Sequence, residues 1–208
     1  MKRVVVRSLA LSGVAALALA ACSSDNSGES GSEETGAASA QGDGTLKIGT
    51  NLPQTGSLAF LGPPEFAGVD LAVQEINEAG GVLGQDVEKF DGDSGDTSTN
   101  IAVTTADEQL QRGVDAVIGA ASSSVSLTII DKITSAGVVQ ISPANTSPEF
   151  TDYDDGGLYF RTAPSDTFQG AVLAEVAVND GAEKPAVLAL QDAYGEGWLF
   201  RIQPSAAS

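Results

Sequence analysis

Two short stretches hold the residues best suited to chemistry. The first, Gly119-Ala120-Ala121-Ser122-Ser123-Ser124, follows an apolar run and leads into a helical pattern. Small residues there let a ligand approach the backbone. Hydroxyls beside the free N–H groups of a helix N-terminus make a receptor for a carboxylate. An equally physical reading has Ser122 or Ser123 simply capping its own helix, and for this motif alone capping is the more economical choice. The second stretch, Pro143-Ala144-Asn145-Thr146-Ser147-Pro148-Glu149-Phe150, offers carbonyls and the Thr146 hydroxyl as acceptors for an ammonium. Read by itself it is also an ordinary polar loop. The two stretches converge at one sheet edge, and together they suit a zwitterion better than either does alone.

Other chemistries are excluded by composition. The chain has no histidine, which removes Ser-His-Asp triads, HExxH zinc sites and imidazole acid–base work. No GxxxxGK[ST] loop occurs, no GxGxxG follows the first strand, and no SxxK pair is present. Asp91-Gly92-Asp93-Ser94-Gly95-Asp96 hints at calcium. It lacks the glycine at loop position six and the closing glutamate, where Ala102 stands, so it reads as a solvated acidic turn. The expectation is a binding protein without metal or cofactor, not an enzyme. The net charge of −18 repels phosphate backbones and argues against nucleic acid as a partner.

The first 21 residues have the form of an export signal: Lys2, Arg3 and Arg7, then an apolar run from Leu9 to Ala21 too short to span a bilayer. The run ends in Leu19-Ala20-Ala21-Cys22, the pattern of a bacterial lipobox, which makes Cys22 a lipidation site. Cys22 is the only cysteine, so disulfides and thiolate sites drop out. From residue 22 to 44 the composition turns to Ser, Gly, Glu, Asp, Asn and Ala, and a disordered acidic tether is expected. Its mean reach is roughly 25 Å.

The remainder alternates strand and helix. Strands are expected at 46–52, 87–90, 114–118, 138–142, 158–161 and 186–190. Helices are expected from Pro63-Pro64 to about Ala79 (Phe66, Val69, Val73 and Ile76 on one face), around Val103, Ala106 and Leu110, at 122–135 (Val125, Ile129, Ile130 and Ile133 inward) and at 166–179 (Phe168, Val172, Leu173 and Val176 inward). Such alternation implies parallel pairing through right-handed crossovers, hence an α/β, doubly wound parallel sheet. In sheets of this kind ligands bind beyond the carboxyl ends of the strands.

The loops also carry a family likeness. Thr55-Gly56, Glu65-Phe66-Ala67-Gly68, Ile76-Asn77-Glu78-Ala79-Gly80-Gly81, Val117-Ile118-Gly119, Ser122-Ser123-Ser124, Ile141-Ser142-Pro143-Ala144, Pro148-Glu149-Phe150, Phe160-Arg161-Thr162, Gln169-Gly170 and Tyr194-Gly195-Glu196-Gly197 stand in order over about 150 residues. In that order they resemble the leucine/isoleucine/valine-binding proteins of branched-chain amino-acid ABC importers, with the type I periplasmic-binding fold. The resemblance implies a two-lobed protein: 45–160 as lobe 1 and 161–208 as the opening of lobe 2. It implies that Ser123 and Thr146 hold the ligand's α-carboxylate and ammonium, with the Ala144 carbonyl in the ammonium site. Ala121 and Ser122 would line the wall, and Tyr194 would close the pocket from the second lobe. Asp166 would add negative charge near the ammonium or, alternatively, cap its own helix. Where the family often has an aromatic residue before the first-loop glycine, this chain has Leu61, with Phe60 beside it.

The same resemblance sets expectations for partners and place: a small amino-acid-like ligand, an importer permease, and a lipid on Cys22 fixing the protein to the outer face of the bacterial cytoplasmic membrane. Other cargo of the fold (amides, urea, aromatic acids) and a sensory ectodomain are the alternative readings. Beyond Trp198 the sequence departs from the family in Pro204-Ser205-Ala206-Ala207-Ser208, so the expectation is a truncated or frame-shifted product that closes poorly and binds weakly.

Overall fold

The computed structural model describes residues 42–202. The export signal, Cys22, the tether up to residue 41 and the tail from 203 lie outside the described residues.

Five strands, β1 (Lys47–Leu52), β2 (Glu88–Asp93), β3 (Ala116–Gly119), β4 (Val139–Ser142) and β5 (Tyr159–Arg161), form one sheet in the order β2-β1-β3-β4-β5, all parallel. The helices are α1 (Gly62–Glu78), α2 (Ile101–Gln111), α3 (Ser123–Ser135), α4 (Asp166–Asn179) and α5 (Ala193–Ile202). The doubly wound α/β reading therefore holds. Chain order leaves β1 toward β2 on one side and toward β3 on the other. Right-handed crossovers then put α1 on one face and α2 and α3 on the opposite one. This reversal between β1 and β3 opens a crevice at their carboxyl ends.

The core lies under α2 and α3. Ala102, Ala106, Val114, Val117, Val125, Ile129 and Ile133 are buried together, and Ile130 packs with Phe150 and Tyr159 beside β5. All four residues expected inward on α3 are buried. The apolar face of α1 is only half-buried, and β3 and β4 alternate half-buried and buried residues. The almost wholly apolar run 114–118 reads as a strand covered on both faces; in the structure the α2/α3 side is sealed and the α1 side is only half-covered.

Buried amides replace part of the expected apolar packing. Gln109 crosses from α2 to β1, its Nε2 donating to the Thr50 carbonyl at 2.8 Å. It fits because Gly49 has no side chain: a Cβ there would stand 2.6 Å from the Gln109 Cδ. Gly119 (φ +135°) lets β3 turn against β1, where a Cβ would meet the Asn51 carbonyl at 2.1 Å.

Three further expectations are corrected. The acidic segment 91–96 is not all turn, because Asp91–Asp93 continues β2 in register with Thr50–Leu52. The α4 bounds match, yet Phe168, Val172, Leu173 and Val176 are exposed, at 67, 44, 45 and 49 %. The reason is that α4 packs mainly on α5, and among the described residues no strand lies beneath it. Residues 186–190 are irregular, and Leu188 is fully exposed. A strand exists only through ladder bonds, and among the described residues no strand lies alongside to supply them.

Candidate functional site

The loops after β1, β2, β3 and β4 surround a cavity of about 480 Å³ at the crevice. Ala121, Ser122, Ser123, Ala144, Thr146 and Tyr194 all line it; Asp166 does not. The remaining wall includes Ser57, Leu58, Phe60 and Leu61 from the first loop, Asp96 and Thr97 from the second, and Gln169, Leu190 and Asp192. Sequence reasoning placed Phe60 and Leu61 near the pocket and Gln169 in a family-like motif, but it gave neither Gln169 nor Asp96 a place in the site.

Ser122 is the N-cap of α3, its Oγ accepting from the Val125 amide at 3.4 Å. Capping and pocket lining therefore coexist at this residue. Ser123, the first helical residue, is 2 % exposed and its Oγ accepts from the amides of Thr146 and Ser147, both at 3.3 Å. A hydroxyl that accepts twice keeps its own proton to give. The amides of Ser123 and Ser124, in the first turn of α3, have no intrahelical acceptor and add positive dipole at the same place. Ser124 is used differently, since its Oγ accepts from the Ala193 amide at 3.0 Å and ties α5 to α3.

Thr146 has the opposite polarity. Its Oγ1 donates to Asp166 Oδ2 at 2.8 Å, so the hydroxyl faces the cavity with lone pairs only. The Asp166 amide donates back to the Thr146 carbonyl at 2.8 Å. Asp166 is fully buried, and its Oδ1 has no hydrogen-bond partner among the described residues. Burial raises its carboxyl above the ordinary value, while the Thr146 bond and the Arg161 charge oppose that rise. The helix cap is Ser165, whose hydroxyl accepts from the Thr167 amide, so the capping alternative for Asp166 is not the one realised. Among the described residues no donor is bonded to the Ala144 carbonyl, which leaves it available to an ammonium.

The first loop is held by carboxylates. Asp93 Oδ1 accepts from the amides of Gln54 (2.8 Å), Thr55 (3.1 Å) and Gly95 (2.8 Å). Burial alone would raise the Asp93 carboxyl, but these bonds and the one from the Thr55 hydroxyl overcome it and hold it low. Asp96 Oδ2 accepts from the Ser57 amide at 3.3 Å.

The lining includes no lysine or arginine among the described residues, whereas Asp96 and Asp192 are part of it. A donor hydroxyl with helix amides at one point, and an acceptor hydroxyl backed by a carboxylate at the next, can hold a carboxylate and an ammonium side by side. Leu58, Phe60, Leu61, Leu190 and Tyr194 supply apolar surface for what lies beyond.

A family model described as periplasmic binding protein matches residues 45–204. The leucine-, isoleucine-, valine-, threonine- and alanine-binding protein of Pseudomonas aeruginosa is 34 % identical over 160 residues, 76 % of this chain and 42 % of that protein. A substrate binding protein of a branched-chain amino acid transporter from Streptococcus pneumoniae, solved with isoleucine, is 36 % identical with a TM-score of 0.57, covering 64 % of this chain and 38 % of that one. An ABC transporter substrate-binding protein from Desulfitobacterium hafniense, solved with leucine, is 32 % identical with a TM-score of 0.63, covering 76 % and 46 %. This chain spans about two-fifths of the length of the curated relatives it matches.

Proposed function

We propose that this chain, a member of the periplasmic binding protein family with its type I fold, captures a small amino acid of the branched-chain type for an ABC importer. Residues 45–160 form the first lobe in this reading and 161–208 the opening of the second. The two lobes shut on the ligand by hinge closure, and the closed form docks on the permease. Export and lipidation at Cys22 hold the protein to the outer face of the membrane, with residues 22–44 as the tether.

One observation carries the reading: the Ser123 hydroxyl has been made a donor and the Thr146 hydroxyl an acceptor by their own protein bonds. A carboxylate fits the first and an ammonium the second. The branched-chain amino acids named for the relatives support the same ligand class. A simple anion such as an aromatic acid is disfavoured, because it would enter a cavity lined by Asp96 and Asp192 with no lysine or arginine among the described lining residues.

The test is an NMR titration of the purified chain with L-leucine, L-leucinamide (no carboxylate), 4-methylpentanoate (no ammonium) and 4-hydroxybenzoate. Leucine is expected to bind at least tenfold more tightly than each of the others. Equal or tighter binding of 4-hydroxybenzoate or 4-methylpentanoate overturns the assignment.

A further inference from the structure

Every hydroxyl assigned to the ligand sits on one of two loops, 120–123 after β3 and 142–147 after β4. Between Ala144 and Thr146, which face the cavity, stands Asn145, which is fully buried and does not line it. Its Nδ2 donates across to the other loop, to the Ala120 carbonyl at 3.1 Å and the Ala121 carbonyl at 2.9 Å. Its Oδ1 accepts from the Tyr159 hydroxyl at 2.7 Å. Its backbone amide donates to Ser142 Oγ at 2.9 Å, and that hydroxyl donates to the Ala120 carbonyl at 2.7 Å.

The orientation of this amide is fixed by chemistry. Reversed, it would set an oxygen against two carbonyls and an NH₂ against a phenol. Burial pushes the Tyr159 phenol up, so it remains a donor through the ordinary pH range. Besides the Ser142 bond at the end of β4, the direct links between the loops run from the Thr146 and Ser147 amides to Ser123 Oγ, and these two are both 3.3 Å, at the long end for such bonds. They cannot set a spacing as firmly as the shorter amide bridge does.

We propose that Asn145, oriented by Tyr159, is a positioning residue that fixes the separation between the carboxylate-holding and ammonium-holding loops. The ligand consequence rests on the amino-acid reading above. In an α-amino acid the two charged groups share one carbon. Their receptors must therefore be held within about half an ångström of one spacing. Asn145 is outside the cavity and acts on the ligand only through Ala121, Ser123 and Thr146.

Asn145→Asp tests this. It keeps the size and the Tyr159 bond but turns an oxygen toward both carbonyls. In the ligand-free protein at pH 7, hydrogen exchange of the Thr146 and Ser147 amides is expected to rise at least tenfold. Amides of α2 are expected to change less than twofold. L-Leucine affinity, measured by NMR titration, is expected to fall at least tenfold at pH 7 and to recover at least threefold at pH 5. Burial beside two carbonyls raises the introduced carboxyl's proton affinity, and the lower pH adds the proton with which it can donate to one of them. The wild-type ratio between the two pH values is the reference, because Asp166 also titrates nearby and Arg161 lies within its field. Wild-type exchange at Thr146 and Ser147, or leucine affinity within twofold of wild type, overturns the proposal. Should the Asp variant fail to fold, Tyr159→Phe decides. It keeps the ring that stacks on Phe150 at 4.6 Å and removes only the orienting donor. Faster exchange at the same two amides with a threefold or greater loss of affinity supports the proposal, and wild-type behaviour in both refutes it. If wild-type protein binds no leucine, the ligand reading fails by itself, and the exchange data still decide the positioning role.

Discussion

Replacing Thr146 by valine removes one hydroxyl and little else. The residue is 7 % exposed, and a methyl fills nearly the same space. Two effects follow. In the proposed function the ligand's ammonium loses an acceptor, and hydrogen bonds to charged groups are worth about 1.5–3 kcal/mol, or roughly a 10- to 150-fold change in affinity. Asp166 Oδ2 also loses its donor, and with Oδ1 already unpartnered the whole buried carboxyl is left bare. Its proton affinity then rises further, which weakens its attraction for a cation and pushes the loss toward the upper end. The assay is an NMR titration of wild type and Thr146→Val with L-leucine and with 4-methylpentanoate, which has the same skeleton without the ammonium. The ratio of the two affinities should fall at least tenfold in the variant, with 4-methylpentanoate itself changing less than twofold. Equal losses for both ligands would mean general damage to the site, and an unchanged ratio would mean that Thr146 does not meet the ammonium. Either result refutes the reasoning.

Three other outcomes are expected. Asp93→Asn should lower stability by about 1–2 kcal/mol at pH 7 by weakening the charge-assisted bonds to the first loop. Because the folded carboxyl is held below its ordinary value, its contribution is present above the unfolded value and lost as pH falls through the folded one. Urea midpoints of the two proteins should therefore converge toward pH 3. Glu65, raised by burial to about 7, destabilises the fold in its charged form. Glu65→Gln should leave urea midpoints unchanged near pH 4, raise them progressively up to pH 7 and hold a constant gain above that. The gain should be on the order of 1–2 kcal/mol after discounting for solvent at this half-buried site. Ile129→Ala should cost about 2–5 kcal/mol, whereas Phe168→Ser should stay within about 0.5 kcal/mol, as read from thermal or urea melts.

The contrast between Ile129 and Phe168 also marks what the sequence could and could not reveal. Both lie on helices with a regular apolar stripe, and periodicity places both inward. Only α3 has a sheet face to cover, so Ile129 is fully buried and Phe168 is not. Periodicity identifies the stripe, while its burial depends on what the rest of the chain sets against it. The segment 186–190 failed for the same reason, since an apolar run becomes a strand only beside another. Strand alternation, the Gly80-Gly81 stop and the Ser122 cap were local signals and were legible. Gln109 and Asn145 were not. A buried amide reads as a surface residue until the carbonyls that need it are known, and for Asn145 those belong to residues 24 and 25 positions away.

At the site, sequence pointed to two loops that meet at the cavity but not to how their hydroxyls differ. Ser123 and Thr146 are both plain hydroxyls, equally able to give or accept. Their opposite polarity arises from partners outside their own turns: backbone amides 23 and 24 residues away for one, a carboxylate 20 residues away for the other. That division depends on tertiary structure, and in the proposed function it is what favours an amino acid over the other cargo of the fold.

The most direct measurement is a crystal structure with L-leucine bound. The ligand carboxylate is expected within about 3.2 Å of Ser123 Oγ and its ammonium within about 3.2 Å of Thr146 Oγ1, with the side chain toward Leu58 and Leu61. A ligand turned end for end, or one bound away from these two hydroxyls, would contradict that assignment.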